Sequence, residues 1–192
     1  TGFDVQEMSA DVRVGRGKTI IEDLVIRDRW SDLRLPLFMM SYDDVDSFKD
    51  FIHLVRLDGH IAPSTLDFRT IVHFAPQLKG NRLKARISGS MSGHVDDFIV
   101  KNIQIDSYAG GFRGTVNGRI TGIPEVYDMR IDASLKNMSL TAEGLGKFIN
   151  EWSNGEDLDF SQIGKNVVFS TEAKAVGLLN NLKTSAHLNS RA

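Results

Sequence analysis

The stretch Leu83 to Val95, LKARISGSMSGHV, constrains the chain more than any other. Its odd positions are apolar or small, and its even positions are polar, Lys84, Arg86 and His94 most strongly. Successive side chains of a strand point to opposite faces, so this alternation describes one dry face and one wet face. At about 3.3 Å per residue the run would reach roughly 40 Å, about twice a usual strand. No catalytic group lies on its dry side, where Leu83, Ala85, Ile87, Gly89 and Met91 follow one another. The functional interest therefore falls on the dry face itself.

The same period recurs along the chain. Leu33, Leu35, Leu37 and Met39 alternate with Arg34, Pro36, Phe38 and Met40, and Val55, Leu57, Gly59 and Ile61 with Arg56, Asp58 and His60. Strict parity puts Ile99, Ile103 and Ile105 on one face, against Val100, Asn102, Gln104 and Asp106. Phe112, Gly114, Val116, Gly118 and Ile120 form another dry row, as do Tyr127, Met129, Ile131, Ala133 and Leu135. Later come Val167, Phe169, Ala173 and Ala175, then Leu182, Ala186 and Leu188. Antiparallel sheets with one wetted face give this pattern, whereas parallel strands read as continuous apolar runs.

The punctuation agrees. Gly110-Gly111 between two alternating runs signals a two-residue hairpin, and Gly15-Arg16-Gly17 and Ile123-Pro124-Glu125 mark further turns. Three segments switch to helical spacing: Phe48, Phe51, Ile52 and Val55 behind a Ser47 cap; Leu145, Phe148, Ile149 and Trp152 behind Thr141; and Ile71, Phe74 and Ala75 behind Thr70. Pro76 should end the last quickly. An imperfect repeat is also visible, with strands ending at Gly93, Gly122 and Gly177 and later ones carrying QIDS, IDAS or HLNS.

Several function classes lose support. The net charge is −2 with both signs interspersed, which lacks the basic patch that nucleic acid or an anionic membrane surface requires. No run of eighteen apolar residues exists, and the chain opens at Thr1 in what reads as strand, so an internal piece of a longer protein is expected. Zero cysteines exclude disulfides and thiolate metal sites. In Gly89-Ser90-Met91-Ser92-Gly93 the centre is Met91, where a nucleophile elbow needs serine. The five histidines lack metal-site spacing. The acidic runs Asp43–Asp46 and Gly155–Asp159 lack the order of a calcium loop, although the sequence leaves calcium open. No metal and no other cofactor is expected.

The dry face has one peculiarity. Beside Leu, Ile and Phe it carries Ala85, Gly89, Gly93, Gly114, Gly118, Ala133, Ala173 and Ala175. Interior glycine weakens a strand, so small residues either admit a neighbouring backbone or leave room for a guest. The first alternative is a bulge or tight bend, and the second a shallow groove for an elongated apolar ligand.

TLDFRTIVHFAPQLKG followed by LKARISGSMSGHVDDFIVKNIQIDS resembles the translocation and assembly module family, TamB, of the AsmA-like superfamily, in its Bacteroidetes form. Phe68, Phe74, Ala75, Pro76 and Leu78 match its short turn, and Gly89, Gly93, Phe98, Ile103 and Ile105 match the strands that follow. Gly114 to Leu145 is similar to the family's next module, and the likeness runs from about Ile20 to Asn189. Thr70 departs from it, standing where an acidic residue is expected. The resemblance implies a long periplasmic protein, anchored in the inner membrane by a segment absent from this sequence. It also implies a bent, open, taco-like β-groove with an apolar interior. Such proteins are implicated in moving phospholipids between the two membranes and in outer-membrane protein insertion with a partner barrel.

The expectation is thus a mainly β chain: one segment, residues 1–192, built as a long curved antiparallel-type sheet with about three short helices. Groove candidates are Leu83, Ala85, Ile87, Gly89 and Met91; Ile103 and Ile105; Phe112, Gly114, Val116, Gly118 and Ile120; and Tyr127, Met129, Ile131, Ala133 and Leu135. Ile71, Phe74 and Leu78 are expected to cover one end. The function expected is non-enzymatic shielding of acyl chains. The alternative is a structural or partner-docking module without lipid. A glycan hydrolase using Asp128 and Asp132 is the weakest reading, because both acids fall on a wet face.

Overall fold

The computed structural model describes residues 4–72, 84–107, 111–123, 125, 128–141, 168–178 and 181–191. Ten antiparallel strands follow one another in chain order in a single open sheet. They are β1 (Val5–Gly15), β2 (Lys18–Asp28), β3 (Asp32–Ser41), β4 (Arg56–Asp67) and β5 (Lys84–His94), then β6 (Asp97–Ser107), β7 (Phe112–Thr121), β8 (Arg130–Thr141), β9 (Val168–Leu178) and β10 (Asn181–Arg191). Each strand pairs with its sequence neighbours, as an up-and-down meander requires, and no pairing closes β1 onto β10 among the described residues. The mainly β, antiparallel class read from the alternation is what the chain adopts.

A line of irregularities bends this sheet. In β2, Asp23 takes the left-handed conformation (φ 50°), and in β3 the unpaired Pro36 lies beside it. In β4 the register slips at Ala62 and Pro63, and in β6 at Asn102, whose φ is 51°. The slip recurs in β8 at Asn137 (φ 51°), facing Gly114. Asp and Asn tolerate this conformation because their short polar side chains bond locally. Each slip bends the strand and increases its twist. The backbone N–H of Asn102, freed from the ladder, donates to Asn117 Oδ1 at 2.8 Å.

The bulges also reverse which parity faces inward, and this corrects the simple alternation. Phe98 and Val100 pair with Gly93 and Met91 on the face of Ile103 and Ile105, so Ile99 belongs to the opposite face, across from Ser92. In β3, Leu33 and Leu35 share a face with Phe38 and Met40, while Leu37 and Met39 turn to the other side.

Short helical pieces close the sheet's ends. A 3₁₀ turn, Val45–Asp50, leads into α1, Phe51–Leu54. Its cap is Asp44 rather than Ser47: the Asp44 side chain accepts from Ser47 N at 3.1 Å, and Ser47 is the third residue of the resulting capping box. Val55 is fully buried at the exit. Ile52 O accepts from Val95 N at 3.1 Å, tying this piece to the β5–β6 turn.

At the opposite end, α2 (Phe68–Ile71) begins behind Asp67, so Thr70 lies within it and is not its cap. The Thr70 hydroxyl donates to Asp28 Oδ2 and meets Ser31 Oγ, each at 2.6 Å. An acidic residue at that position would face the Asp28 carboxylate. Asp67 is fully buried and accepts from Arg69 Nη2 at 2.6 Å, Nε at 2.8 Å and backbone N at 2.9 Å. Arg69 in turn stacks on Trp30, 3.5 Å from the ring centroid. The β2–β3 turn and α2 are thereby joined through one polar network. The helix expected at Leu145–Trp152 lies outside the described residues.

Candidate functional site: the apolar face

Pairing registers show what the dry face contains. One row across the sheet runs Thr19, Met40, Leu57, Gly93, Phe98, Ile120 and Ile131. The next runs Ile21, Phe38, Gly59, Met91, Val100, Gly118 and Ala133. Beyond the bulges Ile87 pairs with Ile105, Ile105 with Gly114, Ile103 with Val116, and Val116 with Leu135. The expected candidates Ala85, Ile87, Gly89, Met91, Ile103, Ile105, Phe112, Gly114, Val116, Gly118, Ile120, Ile131, Ala133 and Leu135 fall on this one face. Met129, half-buried, precedes β8. Leu83, Tyr127, Phe74 and Leu78 lie outside the described residues. Ile71 ends the backbone of α2, and the packing expected of its side chain also lies outside them.

Parity reading missed Phe98, Val100, Met138 and Leu140, which join the apolar face through the slips at Asn102 and Asn137. Asparagine inside an alternating run was the available signal, since it is depleted in regular strands and favoured at left-handed positions.

A single sheet has one layer with which to cover this face. Among the described apolar residues, exposure below a tenth is reached only by Leu24, Leu35, Val55, Ala85, Met138 and Leu140. Ile87, Met91, Phe98, Val100, Ile103, Ile105, Val116, Ile120, Ile131 and Leu135 remain half-buried. The opposite parity is wetter, with Lys84, Arg86, Arg119, Arg130, Asp132 and Lys136 exposed.

The glycines answer the question raised by their small size. A Cβ placed on Gly118 would stand 2.9 Å from the carbonyl oxygen of Asp132 in β8. On Gly89 (φ 147°) it would stand 2.8 Å from Asn102 O and 2.7 Å from Ile103 Cδ1. Gly89 admits the backbone of the opposing bulge and Gly118 that of its regularly paired neighbour, so the reading in which they leave space for a guest is corrected. Gly59 differs, because a Cβ there meets Met91 Cε at 2.9 Å and Phe38 Cδ2 at 3.1 Å. The protein's own side chains fill that gap.

The wet face is knit by ion pairs. Arg27 bonds Glu7 at 2.6 Å and Asp32 at 2.9 Å, and Arg34 grips Asp32 with two bonds of 3.1 Å, linking β1, β2 and β3. The hydrogen bond from Arg34 above all, against the opposing effect of burial and with help from Arg27 and the charges of both arginines, holds the Asp32 carboxyl below its usual range. Arg119 clasps Asp97 at 2.5 and 2.6 Å, and Arg113 bonds Asp106 at 2.8 Å. A hollow of about 520 Å³ is lined by Arg86, Ser88, Gln104, Asp106, Arg113 and Thr115 together with the apolar Pro63, Ile87 and Ile105.

Little reactive chemistry assembles here. His60 Nδ1 is 3.3 Å from Ser90 Oγ, but these are cross-strand partners on an open face. Asp128 and Asp132 are exposed. Asp44 spends its carboxylate on the helix cap, and Asp46 pairs with Lys49 at 2.7 Å. No group of three or more His, Asp or Glu is placed to hold a metal ion among the described residues. No family model, curated protein or solved structure matches this chain.

Proposed function

We propose that this chain is one section of a hydrophobic β-groove, of the TamB and AsmA-like kind, that shields phospholipid acyl chains crossing the periplasm between the inner and outer membranes. One observation carries the reading: among the described residues an apolar face continues across an open, single-layer sheet, and most of its large side chains stay half-buried. Apolar surface left wet in this way gains by contact with hydrocarbon, at about 0.8 kcal/mol for each methylene removed from water. Ten methylenes would contribute about 8 kcal/mol at most, before the cost of ordering the chain. The role is non-enzymatic, and the partners are acyl chains and an outer-membrane barrel protein. No helix among the described residues is long and apolar enough to cross a membrane, and the proposal assigns the inner-membrane anchor to a separate segment.

A second reading is favoured by the glycines. Because Gly89 and Gly118 serve backbone approach, the face equally suits a structural or docking module for outer-membrane protein assembly that binds no lipid. Adjacent residues on opposite faces separate the two. A photo-crosslinker replacing Ile120 should capture phospholipid in cell envelopes, whereas one replacing Arg119 should not. Capture of protein alone at Ile120, or equal lipid capture at both, would reject the groove.

A further inference from the structure

Shielding acyl chains gives no role to the hollow of about 520 Å³ at β5, β6 and β7. Its size falls within the range of about 300–1,000 Å³ usual for small-ligand sites. Pairing sets six of its lining residues in two adjacent cross-strand rows, Arg86–Asp106–Arg113 and Ser88–Gln104–Thr115. Both rows stand on the parity opposite to Ile87 and Ile105. Three further lining residues mark the slips: Pro63 in β4, Gly114 in β7 and Asn137 in β8. The hollow thus follows the bend that those slips give the sheet.

Its chemistry is mixed in a particular way. Arg86 and Arg113 flank Asp106, so the first row carries one positive charge in excess, and Lys136, paired with Thr115, adds another cation beside it. Asp106 accepts from Arg113 Nη2 at 2.8 Å, which engages one of the five N–H donors that a guanidinium carries. The second row is uncharged, and each of its members both donates and accepts: two hydroxyls and a primary amide. Pro63, exposed at its slip, adds an apolar edge.

We propose that this hollow binds an acidic sugar, a pyranose unit bearing a phosphate or a carboxylate. Guanidinium groups take the anionic group through charge-assisted bonds, for which their planar fork is suited. Asp106, Gln104 and the two hydroxyls match the sugar's own hydroxyls, which donate as readily as they accept. Pro63 meets the C–H face of the ring. Inorganic phosphate would leave the uncharged row unused, and a neutral sugar would leave the excess positive charge unanswered. These side chains and the apolar face occupy opposite parities, so the inference stands whether or not that face takes an acyl chain.

An amide NMR titration of the chain in physiological salt tests this, with glucose 6-phosphate, a galacturonic acid trimer, glucose and inorganic phosphate as probes. At least one acidic sugar should shift Ser88, Gln104 and Thr115 and bind about tenfold more tightly than glucose or phosphate. Binding of glucose 6-phosphate alone would identify a free sugar phosphate as the ligand, and tighter binding of the trimer a glycan chain. Arg113→Gln and Gln104→Ala, each with an unchanged circular dichroism spectrum, should weaken that binding about tenfold. Lys174→Gln, exposed on the same parity but outside this hollow, should leave it unchanged. Glucose or inorganic phosphate binding as tightly as the acidic sugars, or no shift at these residues with any probe, would overturn the inference.

Discussion

Replacing Gly118 and Gly59 by alanine makes the same chemical change on the same face, with opposite consequences. Neither glycine has a left-handed φ, so the comparison isolates contact from backbone strain. At Gly118 the new methyl meets the Asp132 carbonyl oxygen at 2.9 Å, and Ala133 Cβ and Cα at 3.2 and 3.3 Å. These are backbone atoms or atoms fixed to it, so relief requires β7 and β8 to separate. Overpacking of this kind costs about 1–3 kcal/mol. Alanine returns about 0.4–1 kcal/mol by restricting the unfolded chain, leaving a net loss of about 1–2 kcal/mol. At Gly59 the nearest atom is Met91 Cε, the far end of a flexible side chain that can swing aside. The unfolded-state term then dominates, and Gly59→Ala should be within about 0.5 kcal/mol of wild type or slightly more stable. Urea unfolding followed by circular dichroism measures both, through the midpoint at constant slope. If Gly59→Ala loses as much as Gly118→Ala, the assignment of Gly118 to backbone approach is wrong.

Two further predictions concern charge. Burial alone would raise the Asp67 carboxyl, but hydrogen bonds from the Arg69 side chain and backbone, with its charge, outweigh this and hold the carboxyl below its usual range. Its contribution is complete above the unfolded value near 3.9 and is lost as pH falls through the lower folded one, so Asp67→Asn should flatten the acid limb of a stability–pH curve. His53 is raised above its ordinary value by its 2.6 Å hydrogen bond to Asp50, then by the charge of Asp50 and, less, of Asp96. Its contribution is present below the unfolded value near 6.5 and fades as pH rises through the folded one; an NMR titration of His53 should move down in Asp50→Asn.

The class of fold was legible because alternation is a direct consequence of the strand's twofold period, and Ala85, Ile87, Ile131 and Leu135 stand on the face their parity assigns. Parity failed where one residue leaves the ladder. Asn102 and Asn137 each take a left-handed step, so that Phe98 and Val100 before the first, and Met138 and Leu140 after the second, reach the dry face from even positions. Helix starts failed as well. The caps are Asp44 and Asp67: Ser47 serves as the third residue of the Asp44 capping box, and the Thr70 hydroxyl is taken by Asp28.

The glycines mark where sequence alone stops. A missing Cβ can leave room for a guest or room for a neighbouring strand, and both produce the same letter in an alternating run. What distinguishes them is the position of the next strand's carbonyl, and at Gly89 that is decided thirteen residues later, by the slip at Asn102. Gly114 and Asn137 repeat the relation between β7 and β8. Gly89 and Gly114 and the asparagines are therefore one device: each of these two glycines stands where an opposing bulge pushes its backbone or the base of its side chain towards it. The bend so produced curves the whole sheet while its apolar side chains stay half-buried. An interior that hydrocarbon could enter would then come from curvature, with the gaps at glycine contributing nothing.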